Sequence, residues 1–211
     1  MAGKLLKRGH RRVTGEHPMQ SAAQRVRMTY RDLLKLPDDG LRHELIDGEH
    51  FVTPSPVSRH QIVLGNLYRI IAPHVHACGC GVALFAPFDV VFSQYDVVEP
   101  DLVYFSMERY HEVVTEKNAQ GLPNLAVEIL SPTTRRRDEV LKRRLYERMA
   151  VEEYWIVDTK AETVRVHRLE GATYARFELP KSGGRILSTP QLPDLTIQLS
   201  DVFEVPGQRA G

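Results

Sequence analysis

The chain has 211 residues, of which 42% are hydrophobic, and this is enough for one globular domain with a full core. Its formal net charge of +1 points to no class of partner. Two cysteines, Cys78 and Cys80, lie too close together to clip a fold, which argues against a secreted protein built on disulfides. No apolar run reaches the roughly 18 residues of a membrane span, and the basic N-terminus lacks the apolar core of a signal peptide, so we expect a cytoplasmic protein.

The two ends of the chain differ from the rest in composition. Residues 1–27 carry seven Lys or Arg residues against one Glu, with little periodic apolar content. We expect a basic, disordered tail here, or an arm that touches nucleic-acid phosphates. Residues 206–211 also predict disorder. The segment between them, 28–205, is expected to form a single domain.

The first half of this domain begins with Thr29, whose side chain suits the N-cap of a short helix. HELIDGEHFV, residues 43–52, predicts a strand, an Asp-Gly turn and a second strand. Apolar residues at 63, 64, 67, 70, 71 and 75 have helical spacing, and Pro73 is expected to kink or end this helix. Two apolar, strand-like segments follow, 81–93 and 97–106, on either side of a turn.

The second half continues with a short helix and loop over 108–123, then the apolar strand NLAVEILS over 124–131. A helix is expected from about 134 to 149, followed by a strand over 152–159 and a hairpin across Glu170-Gly171. The central order is therefore helix, strand, strand, strand, helix, strand. This order predicts an α/β class core, a mixed sheet covered by helices, with hairpins added at both ends.

Two acidic residues lie in apolar strands. Asp101 follows Pro100, where a strand is expected to begin at a cleft, and Glu128 lies in the middle of the next apolar strand. Two carboxylates about 4–6 Å apart repel each other unless a cation lies between them, and oxygen ligands of this kind suit Mg²⁺ or Mn²⁺. The alternative is that both acids pair with arginines, which are plentiful after Glu128.

Two further clusters have open interpretations. A basic run contains Arg135, Arg136, Arg137 and Arg143, and it is either a solvated helix face or, beside the two acids, a surface that contacts nucleic-acid phosphates. HVHACGC alternates four residues of the types that bind zinc: His74, His76, Cys78 and Cys80. Their spacing is too tight for four ligands to surround one ion, so we do not expect a structural zinc site.

Four segments of the chain together resemble the Uma2 family, also called DUF820: HELIDGE, SPVSRHQIVLGNLYRII, PDLVYFS and LAVEILSPTTRRRDEVLKRRLYERMAVEEYWIVD. This family is placed among the PD-(D/E)xK, restriction-endonuclease-like nucleases. The resemblance covers about residues 29–200. It implies an αβββαβ nuclease core and a Mg²⁺- or Mn²⁺-dependent endonuclease acting on DNA, with a homodimer as one arrangement that reaches both strands. It also maps the signature acids onto Asp101 and Glu128, and adds Glu44.

The chain departs from the superfamily pattern at one position, because Leu130 stands where the lysine should follow the acid. Lys142 is the best substitute, since Asp138, Lys142 and Leu145 share one side of the predicted helix and its ammonium could lean toward Glu128. The alternatives are that Lys142 is a solvated partner of Asp138, or that catalysis is lost. In the latter case the protein would be a nucleic-acid- or protein-binding module on a nuclease scaffold.

Overall fold

The computed structural model describes residues 26–205 and 207, so the predicted N-terminal tail lies almost entirely outside the described residues. The helical segments are α1 (Tyr30–Leu33), α2 (Ser58–Cys78), α3 (Met107–Val113), a π-helical segment (Arg137–Lys142), α4 (Arg143–Arg148) and α5 (Leu199–Val202). The first six strands are β1 (Arg42–Ile46), β2 (Glu49–Thr53), β3 (Gly81–Phe85), β4 (Val90–Ser93), β5 (Asp96–Val98) and β6 (Leu102–Ser106). The other six are β7 (Leu125–Ile129), β8 (Glu153–Asp158), β9 (Thr163–Glu170), β10 (Thr173–Pro180), β11 (Ile186–Thr189) and β12 (Leu192–Gln198).

A six-stranded mixed sheet forms the centre of the fold, in the order β10-β9-β8-β7-β6-β3. Strands β7 and β8 are parallel, and the other neighbours are antiparallel. The π-helical segment and α4 make the crossover that a parallel pair requires. The series α2, β3, β6, β7, helix, β8 confirms the predicted αβββαβ core, and β9 and β10 form the predicted hairpin.

A second sheet of four strands, in the order β2-β1-β5-β4, was not predicted as a separate unit. The apolar pattern predicted one long strand over 81–93 and another over 97–106, and the structure has four shorter strands there. The divisions fall at Pro87 and Pro100, which cannot donate to a ladder. Strands β4 and β5 therefore leave the large sheet and pair with the β1–β2 hairpin, whose Asp47-Gly48 turn has positive φ at both residues (52° and 76°).

Helix α2 continues past Pro73 to Cys78, so the expectation that Pro73 would end it is wrong. Ile71 and Val75 are buried on one face on either side of the proline, and their packing keeps the helix in place despite the missing N–H. Gly79, in the left-handed conformation at φ 60°, terminates the helix.

The large sheet separates two apolar layers. On one face, Leu125, Val127 and Ile129 pack against α2 and the C-terminal strands. On the other face, Ala126 and Leu130 pack with residues of α4 and of the smaller sheet. Because side chains alternate along a strand, Glu128 shares the second face with Ala126 and Leu130, as the sequence pattern predicted. Glu128 is therefore directed toward the helical crossover and the β1 strand.

Two features lie outside the main layers. The structure pairs Cys78 and Cys80 in a disulfide between residues two positions apart. Within residues 26–205, none of the helices combines the length and the apolar character that a membrane crossing requires.

Candidate active site

A cavity of about 220 Å³ lies where the start of β6, the end of β7 and the helical crossover meet. Asp101, Glu128, Asp138 and Lys142 all line it. Leu102 pairs with Val127 in the β6–β7 ladder, so Asp101 and Glu128 occupy the next opposed positions, where the two strands end. The strand pairing thus explains why these two acids come together.

Lys142 reaches this cavity from the crossover helix and is 2% exposed at its side chain. Its Nζ lies 2.6 Å from Glu44 Oε1, 2.7 Å from Glu128 Oε1 and 4.0 Å from Asp138 Oδ1. Burial alone would lower the pKa of Lys142, but the three carboxylates outweigh it and raise that pKa above its ordinary value. The ammonium is therefore charged, and the interpretation of Lys142 as a solvated partner of Asp138 is wrong.

Glu128 is buried and accepts two hydrogen bonds at Oε1, from Lys142 Nζ at 2.7 Å and from the Tyr146 hydroxyl at 3.0 Å. Among the described residues, no group donates to its second oxygen, Oε2. Burial, assisted by the charges of Asp138 and Asp101, raises the pKa of Glu128 well above its ordinary value in spite of Lys142. A cation that approached Oε2 would stabilise the ionised form of Glu128 and so lower its pKa.

Asp101 has a more complete set of partners. Arg42 Nη1 donates to Oδ1 at 2.8 Å, and the Ile129 backbone N–H donates to Oδ2 at 2.8 Å. His60 Nε2 lies 3.0 Å from Oδ2, and no described group hydrogen-bonds its Nδ1. Burial raises the pKa of Asp101, but His60, Arg42 and the Ile129 N–H outweigh it and lower the pKa to about 2. Asp101 is therefore ionised at all ordinary pH values.

Glu44 enters from β1, behind Lys142. Its Oε1 accepts the Glu99 N–H at 2.9 Å, and its Oε2 lies 3.4 Å from Arg137 Nη1 without forming a hydrogen bond. Asp138 Oδ1 is also buried without a hydrogen-bond partner, and burial raises the pKa of Asp138 to about 6. Two buried carboxylate oxygens are thus unsatisfied around one ammonium, which is unusual in a folded protein.

The residue types of this site suit a hard divalent cation, although the described residues do not form a ready set of ligands. Four acids, Glu44, Asp101, Glu128 and Asp138, face three bases, Arg42, Arg137 and Lys142, so ionisation of all seven leaves an excess of one negative charge. Carboxylate oxygens are the ligands that Mg²⁺ and Mn²⁺ prefer. In the described part of the chain, however, no three His, Cys, Asp or Glu side chains are arranged to hold a metal ion. Lys142 lies between Glu44 and Glu128, and Arg42 and His60 occupy Asp101.

The structure thus brings together the four residues singled out as catalytic, Glu44, Asp101, Glu128 and Lys142. Of the four arginines expected to contact nucleic acid, only Arg137 lines this cavity. Arg135 is paired with Glu139 and Asp158, Arg143 is paired with Glu147, and Arg136 is exposed.

The sequence alone did not identify Arg42, Tyr146 or His60 as residues of the site. His60 is 3% exposed and contacts Asp101. Arg42 lies two residues before Glu44 and so on the same face of β1, which is a signal that alternation could have supplied. Tyr146 lies one helical turn after Lys142, a spacing that also places both side chains on one side of the helix.

Comparison with known proteins identifies the family and the fold of the chain. The model of the Uma2 family, described as "Putative restriction endonuclease", matches residues 30–200. A solved structure from Anabaena variabilis, described as "a putative nuclease belonging to DUF820", superposes with a TM-score of 0.70 at 20% identity, covering 83% of this chain and 97% of that one. Among curated proteins, none matches this sequence. With a family match over most of its length and the fold of a DUF820 protein, the chain belongs to the Uma2 family.

Proposed function

We propose that this protein is an endonuclease that uses Mg²⁺ or Mn²⁺ to hydrolyse phosphodiester bonds in DNA. The observation that carries the proposal is the contact of Lys142 Nζ with Glu128 Oε1 at 2.7 Å, beside Asp101. This contact supplies, from a helix, the positive charge that the strand lacks at Leu130. Membership of the Uma2 family, whose printed description is "Putative restriction endonuclease", supports the same reaction class.

Asp101 and Glu128 are the residues that would hold the cation, with Glu44 beside them. A cation bound there would lower the pKa of a water molecule and neutralise charge on the phosphate. In the reaction, water would add to phosphorus and lose a proton to solvent, while the bond from phosphorus to the leaving sugar oxygen breaks and that oxygen takes up a proton from solvent.

The remaining residues of the site have supporting roles. Arg42 and His60 hold the Asp101 carboxylate in one orientation, and Tyr146 does the same for Glu128. Lys142 offsets the negative charge that grows on the phosphate in the transition state. Arg137, which lines the cavity, would contact a non-bridging phosphate oxygen.

A plasmid assay tests this proposal without knowledge of a preferred sequence. Supercoiled DNA is incubated with the protein and Mg²⁺ or Mn²⁺, with and without a chelator. We expect metal-dependent nicked or linear DNA from the wild type and none from Asp101→Ala or Glu128→Ala. A linear product would indicate that both DNA strands are cut, which a homodimer would allow. We propose that the protein acts in the cytoplasm. Equal cleavage by the wild type and both variants would overturn the assignment of the site.

Lys142→Met, assayed under conditions in which its unfolding curve shows that it is folded, separates the enzyme from a non-catalytic binding module. An enzyme would lose turnover while still binding DNA, whereas a binder would never show cleavage and would lose little affinity. DNA binding without cleavage in the wild type, under every metal condition tested, would contradict the nuclease proposal and favour the binding module.

A further inference from the structure

A second cavity of about 250 Å³ lies on the same face of the large sheet as Glu128, next to an adjacent face of the crossover helix. Glu128 is paired with Ile156, and Ile156 is paired with Arg165, so Arg165 is two strands away, or about 10 Å at the usual strand spacing. Asp138 and Lys142 line the first cavity, whereas Glu139 and Arg143 line the second. The two cavities therefore share a sheet face without sharing residues.

Three arginines line this second cavity: Arg143 from α4, Arg165 from β9 and Arg176 from β10. The β9–β10 register pairs Arg176 with His167, and alternation places Arg165 and His167 on one face, so the ladder itself directs these side chains to one place. The convergence is a consequence of strand register and does not depend on a loop.

Each of the three guanidinium groups retains free donors. Arg143 Nη1 bonds Glu147 at 3.0 Å, Arg176 Nη2 bonds Glu178 at 2.7 Å, and Arg165 Nη2 bonds Glu139. A guanidinium carries five N–H groups, so each of these bonds uses one of five. The Arg176 pair is exposed, and the Arg143 pair is more than a quarter exposed, which makes both of them weak and replaceable.

His167 adds an unsatisfied polar group to the same cavity. It is 5% exposed and lies between the rings of Tyr154 and Tyr174, with centroids 5.9 and 5.8 Å away. No described group hydrogen-bonds either ring nitrogen, yet neither nitrogen is fully buried. Its ring nitrogens are therefore available to a ligand in the cavity.

Three arginines and one acid, Glu139, line the cavity around His167, and each arginine is also paired with a glutamate. Burial, together with the charges of Arg143, Arg176 and Arg165, lowers the pKa of His167 to about 4, and Glu147 opposes this shift. Glu139 and Glu178, which are paired with Arg165 and Arg176, and the two tyrosines are the other charged or titratable groups on this face. An anion would neutralise the arginines and favour protonation of the ring, so its binding should take up a proton.

We propose that Arg143, Arg165, Arg176 and His167 form a binding pocket for a phosphate group, separate from the candidate active site. Planar guanidinium groups match phosphate oxygens in pairs, and the cavity is below the usual size of a pocket for a drug-sized molecule. The phosphate belongs either to a nucleic-acid backbone or to a free phosphate compound. The inference goes beyond the proposed cleavage reaction and does not require it.

Calorimetric titration of the full chain tests this pocket with three probes: inorganic phosphate, pyrophosphate and a single-stranded DNA oligonucleotide. Each titration is run in two buffers of different ionisation enthalpy, which reports the uptake of protons. We expect at least one probe to bind with proton uptake. Arg176→Gln should weaken that binding about tenfold, as expected for one lost charge-assisted hydrogen bond. His167→Gln should abolish the proton uptake.

Arg109→Gln is the matched control, because Arg109 is also paired with a glutamate, Glu152, but lies outside the pocket. Its binding should equal that of the wild type. Arg176 is exposed, so its substitution tests the pocket even if the buried His167 variant does not fold.

Binding of phosphate or pyrophosphate identifies a free compound, and binding of the oligonucleotide alone identifies a backbone phosphate. No binding of any probe, or equal binding by Arg176→Gln, would overturn the proposal, whether or not the protein cleaves DNA.

Discussion

Lys142 Nζ lies 2.7 Å from Glu128 Oε1, although the two residues are 14 positions apart and lie on different elements. Glu128 is in a central strand, and Lys142 ends the π-helical segment that crosses over that strand. Leu130, the residue two positions after Glu128, is buried in the apolar layer. The helix therefore supplies the positive charge that this strand does not.

Removal of the Lys142 charge should strongly destabilise the fold. In Lys142→Met, the carboxylates of Glu44 and Glu128 remain buried without their shared cation, which typically costs about 3–5 kcal/mol. Urea unfolding of the variant and the wild type at neutral pH measures this loss. Arg143→Gln, which breaks the neighbouring, partly exposed pair, should cost less than about 1 kcal/mol. Equal losses in the two variants would show that Lys142 is not balancing a buried charge.

Glu128→Gln should abolish cleavage while the protein remains folded. The amide keeps the volume of the side chain but loses the negative charge that we assign to cation binding. Glu153→Gln is the matched control, because Glu153 is a fully buried glutamate in the adjacent strand that bonds Trp155 Nε1 and Thr189. Cleavage and the unfolding midpoint are both measured for each variant and for the wild type. Loss of cleavage in both variants would indicate a general effect of a buried substitution.

The contribution of Glu99 to the free energy of unfolding should decrease with rising pH. Burial, together with the charges of Asp89 and Glu44, raises the pKa of Glu99 to about 7 from 4.5. The folded protein therefore keeps this proton longer than the unfolded chain does. The contribution of Glu99 to stability is greatest below about pH 4.5 and is lost as pH rises through about 7.

Glu99→Gln should accordingly stabilise the protein on the order of 2 kcal/mol above pH 7 and have little effect at low pH. Unfolding free energies of the variant and the wild type, measured on both sides of the transition, give this difference. The prediction fails if the difference between the two proteins does not change with pH.

Substitution of both Cys78 and Cys80 by serine should leave nuclease activity and DNA binding unchanged. The disulfide joins residues two positions apart at the end of α2, so it closes a very short loop and restricts the unfolded chain little. The plasmid assay and an unfolding curve test the double variant. Loss of activity would indicate that HVHACGC takes part in the function after all.

Much of the fold could be predicted, because periodicity and turn chemistry are local. The capping box at Thr29, the Asp47-Gly48 hairpin and the hairpin at Glu170-Gly171 all follow from short stretches of sequence. The separate four-stranded sheet could not be predicted in this way. Its pairing of β1 with β5 depends on contacts between distant residues, such as Leu45 with Val97.

The candidate site was predictable to a similar extent. An acid in an apolar strand drew attention to Glu128. Lys142 was selected because the family resemblance calls for a lysine that Leu130 does not supply, and helical spacing placed it on the side of the helix that faces Glu128. Glu44 came from the resemblance alone. The Asp101 partners were not predictable from pattern alone. Arg42 and His60 reach Asp101 from β1 and α2, 59 and 41 positions away, and only the packing of the two sheets brings them together.

The most direct test of the divalent-cation site is a calorimetric titration of Mn²⁺ into the wild type and into Asp101→Ala, without DNA and then with DNA present. We predict that the wild type binds Mn²⁺ in at least one of these conditions and that Asp101→Ala does not. A wild type that binds no Mn²⁺ even with DNA present, or an Asp101→Ala variant that binds it equally well, would contradict the assignment of Asp101 and Glu128 as a cation site.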